Sequence, residues 1–419
     1  MILSQSQVQN KLKEVPLMVV GIDFRLASSS LREKLIMTAG QREQLYRDLK
    51  KIDSGVEFMA LETCNRVEWL AATDEPRWMG EILKARILKM WKDKKVPKSK
   101  RPEPFVFEGE DAIRHIFDVV VGKESLAMGE AQIAGQFHHS CREADREKTT
   151  GPILKKVAAS AGRLAKAGHR TGFRSNQKMG IHGLVTQFFK LKKKDAANYQ
   201  IMVLGMGSIG RKTADLLEED ESIRVLRFNR TIHPKQKGKW IPLQEFQNHL
   251  SQSDAIVMAT ASGVPVLNTE TLPKALTAKK MTILDIGIPL QVDKALQKAS
   301  WVDYNNIDQL MDLPGRQEKE PIGLAELNAE IQMEMTAFTR FCVERKREMT
   351  SIISKLHERR QQMIHHRIPE MVEAHLVNLD KQQKKQVQHF MKSIINDYAR
   401  DIHGTLIEAI DAYGGVNYD

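Results

Sequence analysis

"YQIMVLGMGSIGRKTADLLEE" (199–219) decides how this chain is read. An apolar run ends in glycines spaced GxGxxG, and a helix-forming stretch follows at once. A strand, a glycine turn and a helix in that order let backbone N–H groups and a helix N-terminus approach a pyrophosphate. Gly205, Met206, Gly207, Ser208, Ile209 and Gly210 are therefore expected to form a dinucleotide-binding turn. The next apolar run ends in "FNRT". An Asp or Glu there would suit the ribose of NAD, whereas Asn229, Arg230 and Thr231 suit the 2′-phosphate of NADPH. The plainer alternatives are a fold of this kind holding another ligand and, for Arg230, an ordinary surface arginine. "SDAIVMATAS" and "MTILDIGIP" continue the alternation of strands and helices, which predicts a doubly wound parallel α/β domain.

With 419 residues, the chain has room for two to four domains at roughly 100–200 residues each. Its 42% hydrophobic and 28% charged content is that of an ordinary soluble protein. No signal peptide or membrane-length apolar run is read. Cys64, Cys141 and Cys342 cannot make a disulfide framework and fit a reducing cytoplasm. No cysteine or histidine pair has zinc-ligand spacing, so no metal is expected. A net charge of +11 makes a polyanionic partner plausible without naming one.

Upstream of the glycine turn, "VPLMVVGID" (15–23) predicts a buried strand. Ser30 and Glu33 are spaced as a capping box opening a helix. "GVEFMALETCNRVEWLAAT" (55–73) predicts two strands flanking a sharp turn that carries Cys64. Ile113, Ile116, Phe117, Val120 and Val121 define a helix with His115 at its edge. Downstream, no Gly or Pro occurs from Leu324 to Ile368, and Leu324, Leu327, Ile331, Met335, Phe338 and Phe341 recur at helical spacing. One long helix is expected there, packing on another domain or another subunit.

A free cysteine is most often an inert core residue. Cys64 has polar neighbours instead, and the nearby cation of Arg66 favours thiolate, the nucleophilic form. Cysteine plus nicotinamide cofactor suggests attack on an acyl group, a thioester, and hydride reduction to an aldehyde. On composition alone His115 reads as a satisfied helix residue, and "SLAMGEAQIAGQ" as a packing segment.

"ETCNRVE", "RHIFDVVVGKESLAMGEAQIAGQ", "VLGMGSIG" with "NRT", and "DIGIPLQVD" together resemble the glutamyl-tRNA reductases, from about residue 17 onward. The resemblance implies NADPH-dependent reduction of glutamyl-tRNA(Glu) to glutamate-1-semialdehyde, the first step of tetrapyrrole synthesis from glutamate. It implies an α/β catalytic domain (1–174), a doubly wound Rossmann NADPH domain (175–320), and a spinal helix with a helical dimerisation domain (321–419). Cys64 matches the family nucleophile and His115 its active-site histidine. Thr63, Asn65, Arg66, Ser125, Glu130 and Gln132 match the glutamate pocket. A homodimer in the cytoplasm is implied, with the downstream glutamate-1-semialdehyde aminomutase as a candidate partner. Phe24 and Leu26 stand where the family has histidine and threonine, and "MGIHGLV" (179–185) replaces its serine-rich hinge segment. The alternatives are an NADP dehydrogenase of a free metabolite, or a tRNA- or partner-binding relative without catalysis.

Overall fold

The computed structural model describes residues 15–63, 65–126, 128–130, 132–173, 180–193, 196–232, 239–260, 262–272, 280–287, 289–310, 313 and 322–413, with side chains through residue 399. Two sheets organise it. In the first, β1 (Leu17–Asp23), β2 (Glu57–Glu62), β3 (Arg66–Ala72) and β4 (Phe105–Glu108) run antiparallel in the order β2-β3-β1-β4. Alternation along each strand feeds two cores. Leu17, Val19, Met59, Leu61 and Leu70 face one core, while Met18, Val20, Phe58, Val67 and Trp69 face the other. Helices α1 (Ala39–Ile52) and α2 (Pro76–Asp93) cover the second face. The first lies under α3 (Gly109–Val120), α4 (Gln132–Arg146) and α5 (Pro152–Arg170). With both faces covered, the strands read as continuous apolar runs.

After α6 (Ile181–Lys193) comes the second sheet, all parallel, in the order β10-β9-β8-β5-β6-β7. Its strands are β5 (Tyr199–Leu204), β6 (Ile223–Asn229), β7 (Ile241–Pro242), β8 (Ala255–Met258), β9 (Met281–Asp285) and β10 (Val302–Asn306). The chain leaves β5 through α7 (Ser208–Leu217) to β6 on one side, and later returns to β8 on the other. The strand order therefore reverses beside β5, and the glycine turn sits at the carboxyl end of that strand, where such sheets bind ligands.

The predicted long helix is α8 (Leu324–Gln362), 39 residues and about 58 Å at 1.5 Å per residue. A π-helical turn, Met363–Arg367, joins it to α9 (Ile368–His375). Pro369 explains the turn: its ring crowds the carbonyl four residues back, and a wider turn relieves that. A last helix, α10, spans Lys381–Tyr413. Leu327, Ile331, Phe338 and Cys342 are buried in the first core, with Leu324, Met335 and Phe341 against it. Arg163 bonds Glu334 at 2.6 and 2.8 Å, Arg170 pairs with Glu330, and Lys123 reaches Asn328 at 2.9 Å. Of the two packing partners expected for the stripe, another domain of this chain is the one observed. Gly323 starts α8 at φ +74°, and a Cβ there would lie 1.9 Å from the carbonyl oxygen of Thr171, just past α5.

The expected capping box does not form. The helical turn begins at Ser29, with Ser28 as its N-cap and no side-chain cap bond. The Ser30 hydroxyl pairs with the Ser28 hydroxyl at 3.0 Å and the Glu33 carboxylate accepts from the Leu290 amide, so neither side chain closes the box. Among the described residues no helix is long and apolar enough to cross a membrane.

Candidate active site

The hairpin β2–β3 presents the "ETCNR" segment. The Thr63 amide donates to the Arg66 carbonyl at 2.8 Å. The Thr63 hydroxyl accepts from the amides of Asn65 and Arg66, both at 3.2 Å. Threonine thus shapes the turn with its side chain, as hydroxyl residues do in tight turns. Cys64 lies outside the described residues, but both its neighbours are buried.

Arg66 is wholly buried and donates to the Glu68 carboxylate at 2.6 Å. It also donates to the Glu124 carbonyl, tying the hairpin to the loop 122–130. His115 Nε2 lies 3.2 Å from the same Glu68 oxygen, and its ring stacks on Phe107 with centroids 4.7 Å apart. Burial alone would raise the Glu68 pKa, yet Arg66 and His115 hold it down to about 2. His115 is buried, not at the helix edge, because α3 turns that face onto the sheet.

The loop 122–130 is closed by glycines. The Gly129 amide donates to the Gly122 carbonyl at 3.0 Å; the two residues have φ +80° and +86°. A Cβ on Gly122 would lie 2.9 Å from the Glu130 amide nitrogen, so a side chain there would displace Glu130. Ser125 and Glu130 are buried in this loop, and Gln132 opens α4. Of the stretch 125–136, the described residues before Gln132 form a loop, while Ile133 and Ala134 of α4 pack in the first core. Burial pushes the Glu130 carboxyl up to about 7, against the opposing pull of Arg66.

Of eleven buried side-chain polar atoms with no hydrogen-bond partner among the described residues, three lie here: Asn65 Oδ1, Arg66 Nε and Gln132 Nε2. These three, on residues singled out for a pocket, leave two donors and one acceptor that a polar ligand could satisfy. Glu68 was not anticipated as a site residue. The signal was present: two residues beyond Arg66 on the same strand, it shares that arginine's face.

At the glycine turn, Gly205 has φ +104°, and a Cβ would lie 2.6 Å from the Ala259 carbonyl oxygen. A Cβ on Gly210 would come within 1.9 Å of the Gly205 carbonyl, whereas one on Gly207 meets nothing within 4 Å. Two glycines thus permit the backbone path, and the third leaves open space where a pyrophosphate could approach. Gly207 and Ser208, which opens α7, are exposed at this mouth, while Met206 is buried and Ile209 half-buried below it. Asn229 Oδ1 accepts from the Met206 amide at 3.2 Å, and its Nδ2 donates to the Thr231 carbonyl at 2.6 Å. Asn229 therefore braces the turn with both ends of its amide. Arg230 and Thr231 are exposed beyond β6. The open space at Gly207 and the exposed guanidinium of Arg230 fit an NADPH dinucleotide, which would bring a pyrophosphate and a 2′-phosphate.

The two halves meet beside the pocket. Phe24 and Leu126 pack in one apolar cluster with Met206 and Ile209. Phe24, at a departure from the family pattern, is thus a contact between the halves, while Leu26 is exposed. His182, in the other departure, is buried with Nδ1 unpartnered among the described residues, and burial lowers its pKa to about 4.

The family model described as glutamyl-tRNAGlu reductase, N-terminal domain, matches residues 20–171. One for shikimate / quinate 5-dehydrogenase matches residues 187–313. The chain is 27% identical over 395 residues to the glutamyl-tRNA reductase of Bacillus mycoides (strain KBAB4), covering 92% of this chain and 88% of that one. The chain resembles the glutamyl-tRNA reductases along nearly its whole length. The enzyme of that name from Bacillus cereus (strain ATCC 10987 / NRS 248) is 26% identical over the same shares of both chains. Among solved structures, glutamyl-tRNA reductase from Methanopyrus kandleri aligns over 96% of this chain and 100% of its own, at 21% identity and a TM-score of 0.41.

Proposed function

We propose that this chain reduces the glutamyl group of glutamyl-tRNA(Glu) to glutamate-1-semialdehyde with NADPH, releasing tRNA, as the first step of tetrapyrrole synthesis. The observation that carries the reading is the set of unsatisfied buried groups, two donors and one acceptor, beside Glu130. Arg66 Nε and Gln132 Nε2 suit a carboxylate, while Asn65 Oδ1 and Glu130 suit an ammonium group. A glutamyl ester brings both. Ser125 and Thr63 complete the pocket wall and turn.

In this reading the Cys64 thiolate attacks the acyl carbon. A thioester forms, the ester C–O bond breaks, and the tRNA 3′-oxygen leaves with a proton. Because Glu68 is ionised, His115 donates through Nε2 and keeps Nδ1 to take up or return that proton. Bound NADPH supplies the hydride that converts the acyl group to the aldehyde. A carboxyl that titrates near neutrality, as Glu130 does, suits proton exchange at working pH.

The domain division 1–174, 175–320 and 321–419 is supported by the two separate sheets and the helical remainder. A homodimer is supported by Phe390, Ile394 and Tyr398, exposed at four-residue steps on α10. Placing the enzyme in the cytoplasm follows from its charged-tRNA substrate, and a reactive aldehyde product favours hand-over to the aminomutase. The test is incubation with glutamyl-tRNA and NADPH, scoring glutamate-1-semialdehyde. Aldehyde formed from the ester but not from free glutamate sustains the reading; a free metabolite reduced in its place rejects it.

A further inference from the structure

The acyl pocket and the glycine turn belong to different sheets, so the two halves must be held together for hydride to cross. Among the described residues, polar contacts between them gather on one short segment, residues 29–33. Asp308, in the turn after β10, accepts from the Ser29 amide at 2.9 Å and the Ser29 hydroxyl at 2.8 Å. The guanidinium of Arg32 lies 3.4 Å from its other oxygen. Ser29 and Arg32 are both buried, so their donors depend on partners within the protein, and here the other half supplies one. In return, the Glu33 carboxylate accepts from the Leu290 amide at 2.9 Å. Among the described residues the polar contacts seen for Asp308 are with Ser29, Arg32 and Asn306, none of them a pocket residue. Beside these contacts the apolar cluster of Phe24 and Leu126 with Met206 and Ile209 brings the pocket loop onto the glycine turn.

We infer that Asp308 is a positioning residue for the reduction: with Glu33 it latches the cofactor half onto the acyl half, so that hydride reaches the acyl group before water does. The inference rests on the acyl-reductase reading above. Acylation of the cysteine and its slow hydrolysis require only the first half. Aldehyde formation requires both. Opening the latch therefore leaves the first process running and starves the second, which a general loss of structure would not do.

The experiment compares wild type with Asp308→Ala, Asp308→Asn and Ser29→Ala. Glutamyl-tRNA turnover is followed with and without NADPH, and free glutamate and aldehyde are scored separately. In the NADPH-free protein, amide exchange is read at Leu290, which bonds Glu33 and not Asp308 and so reports separation of the whole face. For Asp308→Ala the expectation is NADPH-free hydrolysis near the wild-type rate, with faster exchange at Leu290. With NADPH, its ratio of glutamate to aldehyde should rise on the order of tenfold, from the loss of two to three hydrogen bonds. Asp308→Asn keeps an acceptor for Ser29 and should fall between, as should Ser29→Ala, which removes one bond. The latch is refuted if the ratio is unchanged, if hydrolysis and aldehyde fall in parallel, or if Leu290 stays protected in Asp308→Ala. If wild type makes no aldehyde at all, the acyl-reductase reading fails instead, and the exchange at Leu290 still judges the latch.

Discussion

Replacing Glu68 by glutamine keeps the shape of the side chain and removes its charge. Glu68 is buried between Arg66 and His115, and its carboxyl is held at about 2 in place of the ordinary 4.5. A depression of that size favours the folded state by roughly 3 kcal/mol at neutral pH. Breaking a buried ion pair from one side costs about the same, 3–5 kcal/mol. The sign follows from which state binds the proton. Below the folded pKa the carboxyl is protonated in both states and contributes nothing. Between about 2 and 4.5 the contribution grows, and above 4.5 it is complete. Glu68→Gln should therefore be less stable than wild type by roughly 3 kcal/mol at pH 7, and by less than half of that at pH 3. Urea unfolding, followed by the fluorescence of the adjacent Trp69, measures the difference at each pH. A gap equal at both values would mean that charge is not what Glu68 contributes, and the account of Arg66 and His115 would be wrong.

Glu130→Gln should behave in the opposite sense. A carboxyl raised to about 7 loses stability as pH climbs from 4.5 through 7, so relative to wild type the variant should gain stability between pH 4 and pH 8 by up to roughly 3 kcal/mol; denaturant titrations at both pH values check this. Cys64→Ser should abolish both aldehyde formation and NADPH-free ester hydrolysis while leaving tRNA affinity nearly unchanged, as gel-shift and turnover assays would show. Arg230→Asp should move the preference from NADPH towards NADH, and an unchanged ratio of kcat/KM values would place the phosphate contact elsewhere. Gly207→Asp should fold but lose cofactor binding, since there is open space beside it. Gly210→Ala should lower the melting temperature of the cofactor half, since its Cβ would meet the Gly205 carbonyl; calorimetry and cofactor titration separate the two.

The second sheet was legible in the sequence because its central strands β5, β8 and β9 are buried on both faces and the glycines have backbone reasons to be where they are. The hairpin around Thr63 was legible too, from two apolar runs broken by one polar turn. What local pattern could not give was the role of long-range partners. Ser30 and Glu33 have capping spacing, but the carboxylate of Glu33 is engaged by a residue more than 250 positions away. The burial of His115 likewise depends on Phe107 and Glu68, on two other elements. Asn229 reads as a phosphate ligand in sequence, and only its distance to Met206 reveals a brace. The apolar stripe of α8 named its own need for a partner but not which one, since helix periodicity carries no address.

Thr171 and Gly323 touch, and everything of the cofactor half lies between them in the chain. The backbone of that half therefore enters and leaves at neighbouring points, apart from the contacts it makes with Phe24, Ser29, Arg32 and Glu33. A module with adjacent ends can be lifted out and replaced without stretching what remains. Reductases with different nucleotide preferences could accordingly be made by one exchange at these adjoining ends, provided the new half keeps Asp308 and the face that meets Phe24 and Leu126. The same geometry lets the two halves diverge at different rates over evolutionary time, tied only by the few residues through which they must still recognise each other.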